Sequence, residues 1–242
     1  MNRKHIKLGV NIDHIAFIKK SRNTDYPDLL KAVDIAQEAG ADQITIHLRE
    51  DRRHIQDIDV KNIRSKAQIL NLEMALTEEM VAVAMQNKPN FCCLVPEKRE
   101  EITTEGGLDL IKMNKSKLNY LKETIIILNK NNIQTSIFID PDIEQIEKAI
   151  NCEAKIIELH TGAYANSNNK TYELEKLKNA AHFASQNNIS VNAGHGLNIE
   201  NVGLICDLPH IKELNIGHSI IARSVYIGLK DAIKEMISII RG

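Results

Sequence analysis

His47 and Arg49 alternate with Ile44, Ile46 and Leu48, and the chain then runs through Glu50, Asp51, Arg52, Arg53 and His54. Imidazole is the side chain that changes charge near neutral pH, and guanidinium forks match the oxygens of a phosphate or carboxylate. A base beside several cations suits proton transfer on an anionic substrate. A solvated charged turn after an ordinary strand is the plainer account of the same residues. The choice between them rests on what else in the chain can gather around this stretch.

Other residues of the same chemical types follow other short apolar stretches: Asn11, Asp13 and His14; Glu73; Glu158 and His160; Gly194-His195-Gly196; and Gly217-His218. The chain holds nine histidines, and His14, His47, His160, His195 and His218 all fall at such ends. Core packing does not require that concentration. Glu73, between Leu72 and Met74, would be costly to bury without a cationic partner or a catalytic use, and the same holds for Glu158. The glycines around His195 let backbone approach a ligand and leave the imidazole as the only side chain there. Asp13 and His160 fit a structural role equally well, hydrogen-bonded to loop backbone. Asp140, beside Pro141, reads as a turn-former.

These residues share a setting. Ile6–Ile12, Ile44–Leu48, Leu70–Ala75, Phe91–Val95, Ile133–Ile139, Lys155–His160, Ile189–Ala193 and Ile211–Ile216 read as strands. Helical patterns stand between most of them. One runs from Pro27 to a stop at Gly40, one covers Val60–Ala67, and one is opened by Thr77-Glu78-Glu79. A polar turn holding Lys19, Lys20 and Arg22 is expected after the first strand, a charged loop over 96–107, and one helix over Ile220–Ile240 at the end. About eight strand-helix units over residues 1–242, with no linker, predict a single α/β domain folded as a (β/α)₈ TIM barrel. A doubly wound sheet fits less well, because Asn11-Ile12-Asp13-His14 occupies the place of a Gly-rich dinucleotide turn. In a barrel, strand ends meet at one mouth, which places the acids, bases and cations together.

Composition sets the bounds. With 31 Lys+Arg against 32 Asp+Glu the net charge is -1, so no global field favours nucleic acid, and anion binding must come from local clusters. The polar start, Met1 to Lys7, does not read as a signal peptide, and no apolar run reaches membrane-spanning length. The four cysteines fit neither a zinc spacing nor a disulfide framework, and read as buried thiols of a cytoplasmic protein. Near Gly217 and His218 the last strand gives way to a helix, whose free N–H groups suit an anion. Arg22, Arg49 and His54 could serve a second anion across the mouth. Two phosphate sites facing one acid/base cluster suit an enzyme that joins two phosphorylated small molecules.

Several stretches resemble the pyridoxine 5′-phosphate synthase family in its order: Gly9-Val10-Asn11-Ile12-Asp13-His14-Ile15-Ala16, Ile46–Ile55, Asn71-Leu72-Glu73-Met74-Ala75, Phe91–Arg99 and Thr103–Asp109. Glu158-Leu159-His160-Thr161-Gly162, Val191–Leu197 and Leu214–His218 continue the match. The resemblance implies a barrel enzyme that condenses 3-amino-2-oxopropyl phosphate with 1-deoxy-D-xylulose 5-phosphate, giving pyridoxine 5′-phosphate, phosphate and water without metal or organic cofactor. It further implies that His47 and Glu73 accept protons, His195 donates one and Glu158 stabilises charge. Asn11, Arg22, Gly196, Gly217 and His218 would hold the amino-ketone phosphate. Asp13, His14, Arg49, His54 and Thr103 would hold the deoxyxylulose phosphate. A cytoplasmic homo-octamer, with no nucleic-acid or membrane partner, is the implied assembly.

Two rivals belong to other classes. A metal-dependent barrel hydrolase or isomerase could use the same His, Asp and Glu as ligands, although no His-x-His or His-Glu-x-x-His pair is present and nearby arginines would repel a divalent ion. A sugar-phosphate sensor would bind both substrates without converting them.

Overall fold

In the computed structural model, which describes residues 5–97 and 106–242, eight parallel strands close into a barrel in sequence order. The strands are β1 (Lys7–Asn11), β2 (Gln43–His47), β3 (Leu70–Met74), β4 (Phe91–Leu94), β5 (Gln134–Ile139), β6 (Ile156–His160), β7 (Ser190–Gly194) and β8 (Ile211–Ile216). The first six helices are α1 (Asp13–Ser21), α2 (Leu29–Ala39), α3 (Asp57–Lys66), α4 (Glu78–Asn87), α5 (Lys115–Lys130) and α6 (Ile143–Asn151). The remaining helices are α7 (Gly162–Asn166), α8 (Lys170–Gln186), α9 (Val202–Cys206), α10 (His218–Ile227) and α11 (Leu229–Arg241). Strand β8 pairs with β1 and completes the ring.

The alternation seen along the sequence has a specific meaning in this ring. Leu8, Val10, Ile44, Ile46, Leu70, Leu72, Ile157, Leu159 and Leu214 are fully buried in the main apolar core with the helices' inner faces. The intervening positions, Gln43, Thr45, Asn71, Ser136, Glu158, Asn192, Glu213 and Asn215, are also buried, but polar. Hydrogen bonds link many of them across strands, including Gln43 Nε2 to Glu213 Oε1 at 2.7 Å and Asn192 Nδ2 to the same oxygen at 3.0 Å. The apolar core thus lies between sheet and helices, and mostly polar side chains fill the barrel beside a small apolar cluster of Cys93, Val95 and Phe138. Burying polar groups is tolerable because most find partners. Gly9 makes room for this layer: a Cβ there would run into Asn215 Oδ1 and meet Gln43 Nε2 at 2.8 Å.

Helix ends follow local chemistry. Asp28 accepts from Leu30 N–H to start α2, Thr77 accepts from Met80 N–H to start α4, and Gly40 at φ +100° ends α2. Three expectations are corrected. The segment after β1 is helix α1 rather than a polar turn, with Asp13 in its first turn and Lys19 and Lys20 in its last, each charge opposing the helix dipole there. Helix α3 begins at Asp57, three residues before Val60, because Gln56 and Asp59 form a reciprocal capping box. The closing helix is two helices, broken where Gly228 adopts φ +83°. No helix among the described residues is long and apolar enough to cross a membrane.

Candidate active site

A cavity of about 440 Å³ opens at the C-terminal ends of the strands. Asn11, Asp13, His14, His47, Arg49, His54, Glu73, Glu158, His195, Gly196, Gly217 and His218 all line it. Two further expected residues stand apart: Arg22 is exposed at the end of α1 and does not line the cavity, and Thr103 lies outside the described residues. So does the middle of the charged loop over 96–107.

Register explains the convergence. His47 pairs with Glu73 across β2 and β3, Glu158 pairs with Asn192 across β6 and β7, and Gly194 pairs with Asn215 across β7 and β8. On one wall, His47 Nε2 lies 2.9 Å from Glu97 Oε1, while its Nδ1 lies 4.0 Å from Glu73 Oε2. A carboxylate on Nε2 favours the tautomer whose N–H points at Glu97, leaving Nδ1 as a lone pair toward Glu73. Burial alone would raise the Glu97 carboxyl, but the His47 hydrogen bond, with the Glu50 N–H and the Arg49 charge, holds it below its ordinary value. Glu97 was not singled out from sequence. Its place directly after β4 and Pro96 was the available signal.

The other carboxyls are raised. Burial pushes Asp13 up to about 6, against the lowering effects of His47 and Asn11. Burial also raises Glu73, reinforced by Glu158 and Asp13. Glu158 is pushed up to about 8, chiefly by burial and despite Asn215 Nδ2 donating to its Oε2 at 2.7 Å. Glu213, one layer below, rises to about 7 for the same reason. At neutral pH Glu158 is therefore largely a neutral acid with a proton to donate.

The histidines move the other way. Burial, helped by the neighbouring His218, lowers His14 to about 4; burial, then His47 and Arg49, lowers His54 to about 3. Burial and His160 lower His195 to about 4. His14 and His218 stack edge-on at 4.9 Å, and His14 Nδ1 is buried with no hydrogen-bond partner among the described residues. Beside them the first turn of α10 brings its N–H groups to the mouth, a setting suited to an anion.

The charged stretch after β2 divides in two. Arg49 and His54 face the cavity, whereas Arg52 is engaged by Asp57 and Glu79 and Arg53 by Asp51. Arg52 and Arg53 thus shape the turn and leave anion contact to their neighbours. Sequence reasoning also passed over Phe17, Phe138, Asn198 and Asn215, which line the cavity. Asn215 was within reach, since it precedes the Gly217-His218 pair by two residues.

Asp13, His47 and Glu73 bring ligand-type atoms within 4.8 Å of one another, a set able to hold a cation. Their space is already used: Asn11 Nδ2 donates to Asp13 Oδ2 at 3.1 Å and to Glu73 Oε2 at 3.5 Å, and Asp13 Oδ1 accepts the His47 backbone N–H at 2.9 Å. An amide donor between two carboxyls suits a hydrogen-bonded cluster better than an ion.

Fold and cavity together define a (β/α)₈-barrel protein with a dense acid/base cluster facing groups suited to an anion. Among solved structures, the chain is similar to KGPDC from Streptococcus mutans, with TM-score 0.65, 12% identity and 98% of each chain covered. It is similarly related to the tryptophan synthase A-subunit from Pyrococcus furiosus, with TM-score 0.63, 11% identity, and 98% and 100% of the two chains covered. Those identities speak to the fold alone. The family model of the pyridoxal phosphate biosynthesis protein PdxJ matches residues 8–242, and the chain belongs to that family. Its relatives include pyridoxine 5′-phosphate synthase of Coxiella burnetii, 52% identical, covering 98% of this chain and 99% of that one. The synthase of a Sulfurihydrogenibium species is 51% identical, with 97% and 98% covered.

Proposed function

We propose that this chain is a pyridoxine 5′-phosphate synthase, condensing 3-amino-2-oxopropyl phosphate with 1-deoxy-D-xylulose 5-phosphate to pyridoxine 5′-phosphate, phosphate and water. Half-identical relatives of that name, matched over nearly their whole length, carry this reading. The cavity chemistry agrees with it. Joining an amine to a ketone, expelling phosphate and losing water each need protons moved on and off carbon, nitrogen and oxygen.

His47 is one proton acceptor, through the Nδ1 that Glu97 leaves free. Glu73 is another; its raised pKa makes it a stronger base once it has given up its proton. Glu158 stabilises developing negative charge as a neutral acid, donating from the carboxyl that Asn215 orients. His195 is the proton donor. In the free protein it is neutral at pH 7, and two arriving phosphates raise its affinity for a proton, so it is armed by binding.

Asn11, Gly196, Gly217 and His218 hold the amino-ketone phosphate at the α10 end of the mouth, with Arg22 reaching in from α1. Asp13, His14, Arg49, His54 and Thr103 hold the deoxyxylulose phosphate. The whole chain acts as one catalytic domain, in a cytoplasmic homo-octamer, without metal or organic cofactor.

Mixing the two phosphates with pure protein, with and without chelator, tests this. Pyridoxine 5′-phosphate is expected in both arms. Binding of both substrates with no product would favour a sensor, and loss on chelation with recovery on added zinc or manganese would favour a metalloenzyme. Light scattering checks the octamer.

A further inference from the structure

Behind His195, away from the cavity lining, stands a second pair of titratable residues. His160, at the end of β6, places Nδ1 2.9 Å from Asp140 Oδ1, and its side chain is only 11% exposed. Its ring centroid lies 5.0 Å from that of His195, and Phe138 closes the other side at 5.3 Å. Asp140 is itself anchored, since Gly107 N–H donates to the same Oδ1 at 3.1 Å. Thr161 donates to the carbonyls of Gly194 and His195 at 2.7 and 2.6 Å, tying the end of β7 to the end of β6. The packing leaves no slack: a Cβ on Gly162 would run into His160 Nε2 and meet His195 Cδ2 at 3.1 Å.

This arrangement bears on His195 in two ways. His195 has φ +81°, a backbone conformation that side-chain-bearing residues rarely adopt, and it persists only where surroundings enforce it. The enforcing contacts are Thr161 on its carbonyl and His160 on its ring. The second effect is electrostatic. Asp140 accepts from His160, and the His160 imidazole held there lies close enough to lower the proton affinity of His195.

We propose that Asp140 and His160 are positioning residues for His195: Asp140 tethers the His160 ring, and that ring fixes the His195 imidazole at the cavity wall and is coupled to it across their 5.0 Å contact. The role in catalysis rests on the reading of His195 as proton donor; the physical coupling does not. The groups concerned are few. Asp140 faces His160 from the end of β5, Lys176 of α8 acts on Asp140, and His160 faces His195, whose lowered proton affinity comes first from burial and then from His160.

The decisive experiment uses the ligand-free full chain with histidine-labelled imidazoles, followed by NMR across pH. The His195 resonance is assigned from its loss in His195→Asn. In His160→Asn, which keeps an N–H for Asp140 but carries no charge, the His195 midpoint should rise by about half a unit or more. His160→Phe keeps a ring that cannot become cationic, and should move the midpoint in the same direction. An unchanged midpoint in both variants overturns the proposal. In turnover, Asp140→Ala should lower kcat by about tenfold or more with KM little changed, and Asp140→Asn, whose amide oxygen still accepts from Nδ1, should restore most of it. Equal loss in Ala and Asn variants would overturn the tether. Absence of any product in wild-type protein would refute the synthase reading, while the NMR midpoint would still decide the coupling.

Discussion

Asn215 Nδ2 donates to Glu158 Oε2 at 2.7 Å, and that bond joins the cavity to the polar layer inside the barrel. The joined carboxyls fix how stability depends on pH. Glu158, Glu213 and Asp13 bind protons more tightly folded than unfolded, so each loses stabilising effect as pH rises through its folded value, about 8, 7 and 6. His14, His54 and His195 bind protons less tightly folded, so their contribution falls away as pH drops below about 6.5 toward 4 or 3. The two sets largely offset between pH 4.5 and 6.5, with the raised Glu73 tilting the balance slightly toward the acid side. The expected outcome is a broad maximum of Tm there, with a decline from pH 6.5 to 8 that flattens in Glu158→Gln. Each kcal/mol corresponds to about 2–4 °C for a chain of this size, so calorimetry at several pH values resolves it.

Removing proton acceptor or donor should separate chemistry from folding. Glu73→Gln and His195→Asn are expected to retain the far-ultraviolet circular dichroism of wild type while turnover falls by about 10²–10⁴-fold. Wild-type turnover in either variant would count against the assigned roles.

Glu97 offers a sharper test of His47. Glu97→Gln keeps the size of the side chain but removes the anion that selects the His47 tautomer. We expect kcat to drop by on the order of 10²-fold with substrate affinity nearly unchanged. Steady-state kinetics distinguishes this from a binding defect, which would appear in KM.

Arg22 stands outside the cavity of the free protein, so its contribution should be to capture. Arg22→Ala is expected to raise KM for the amino-ketone phosphate by about ten- to a hundredfold, the worth of a charge-assisted hydrogen bond, with little change in kcat. Raising ionic strength should narrow the gap between variant and wild type.

Gly194→Ala tests the packing under the site. The added methyl would run into Glu158 Oε1 and meet the Asn215 carbonyl at 2.9 Å. Overpacking of this kind costs about 1–3 kcal/mol, and chemical denaturation should register it. Turnover should fall as well, because the displaced group is Glu158.

Most of the barrel was legible because period-two alternation and the strand-helix rhythm survive in the sequence. Ile44-Thr45-Ile46-His47 gave strand β2 and its two faces together. What alternation could not reveal was which face is apolar in three dimensions. The polar positions of the alternation prove to point into the barrel. Helix α1 was missed because Lys19, Lys20 and Arg22 look like a loop when the capping charge of Asp13 is assigned to a site. Cavity residues at strand ends were legible from residue type alone. The Glu97–His47 and Asp140–His160 contacts were not, since each joins residues on different strand ends and depends on side-chain direction. The roles of Arg52 and Arg53 were not legible either: a run of cations says nothing about which carboxylates each of them engages.

Gly9 lies on β1 below the mouth, touches no expected ligand and does not line the cavity, yet the missing atom at that position is what admits Asn215 to the interior. A methyl group there would leave the entrance unaltered to any inspection of its rim. It would act from beneath, unseating Asn215 and, through it, Glu158, so that an alteration in the foundations would present itself as a failure of chemistry.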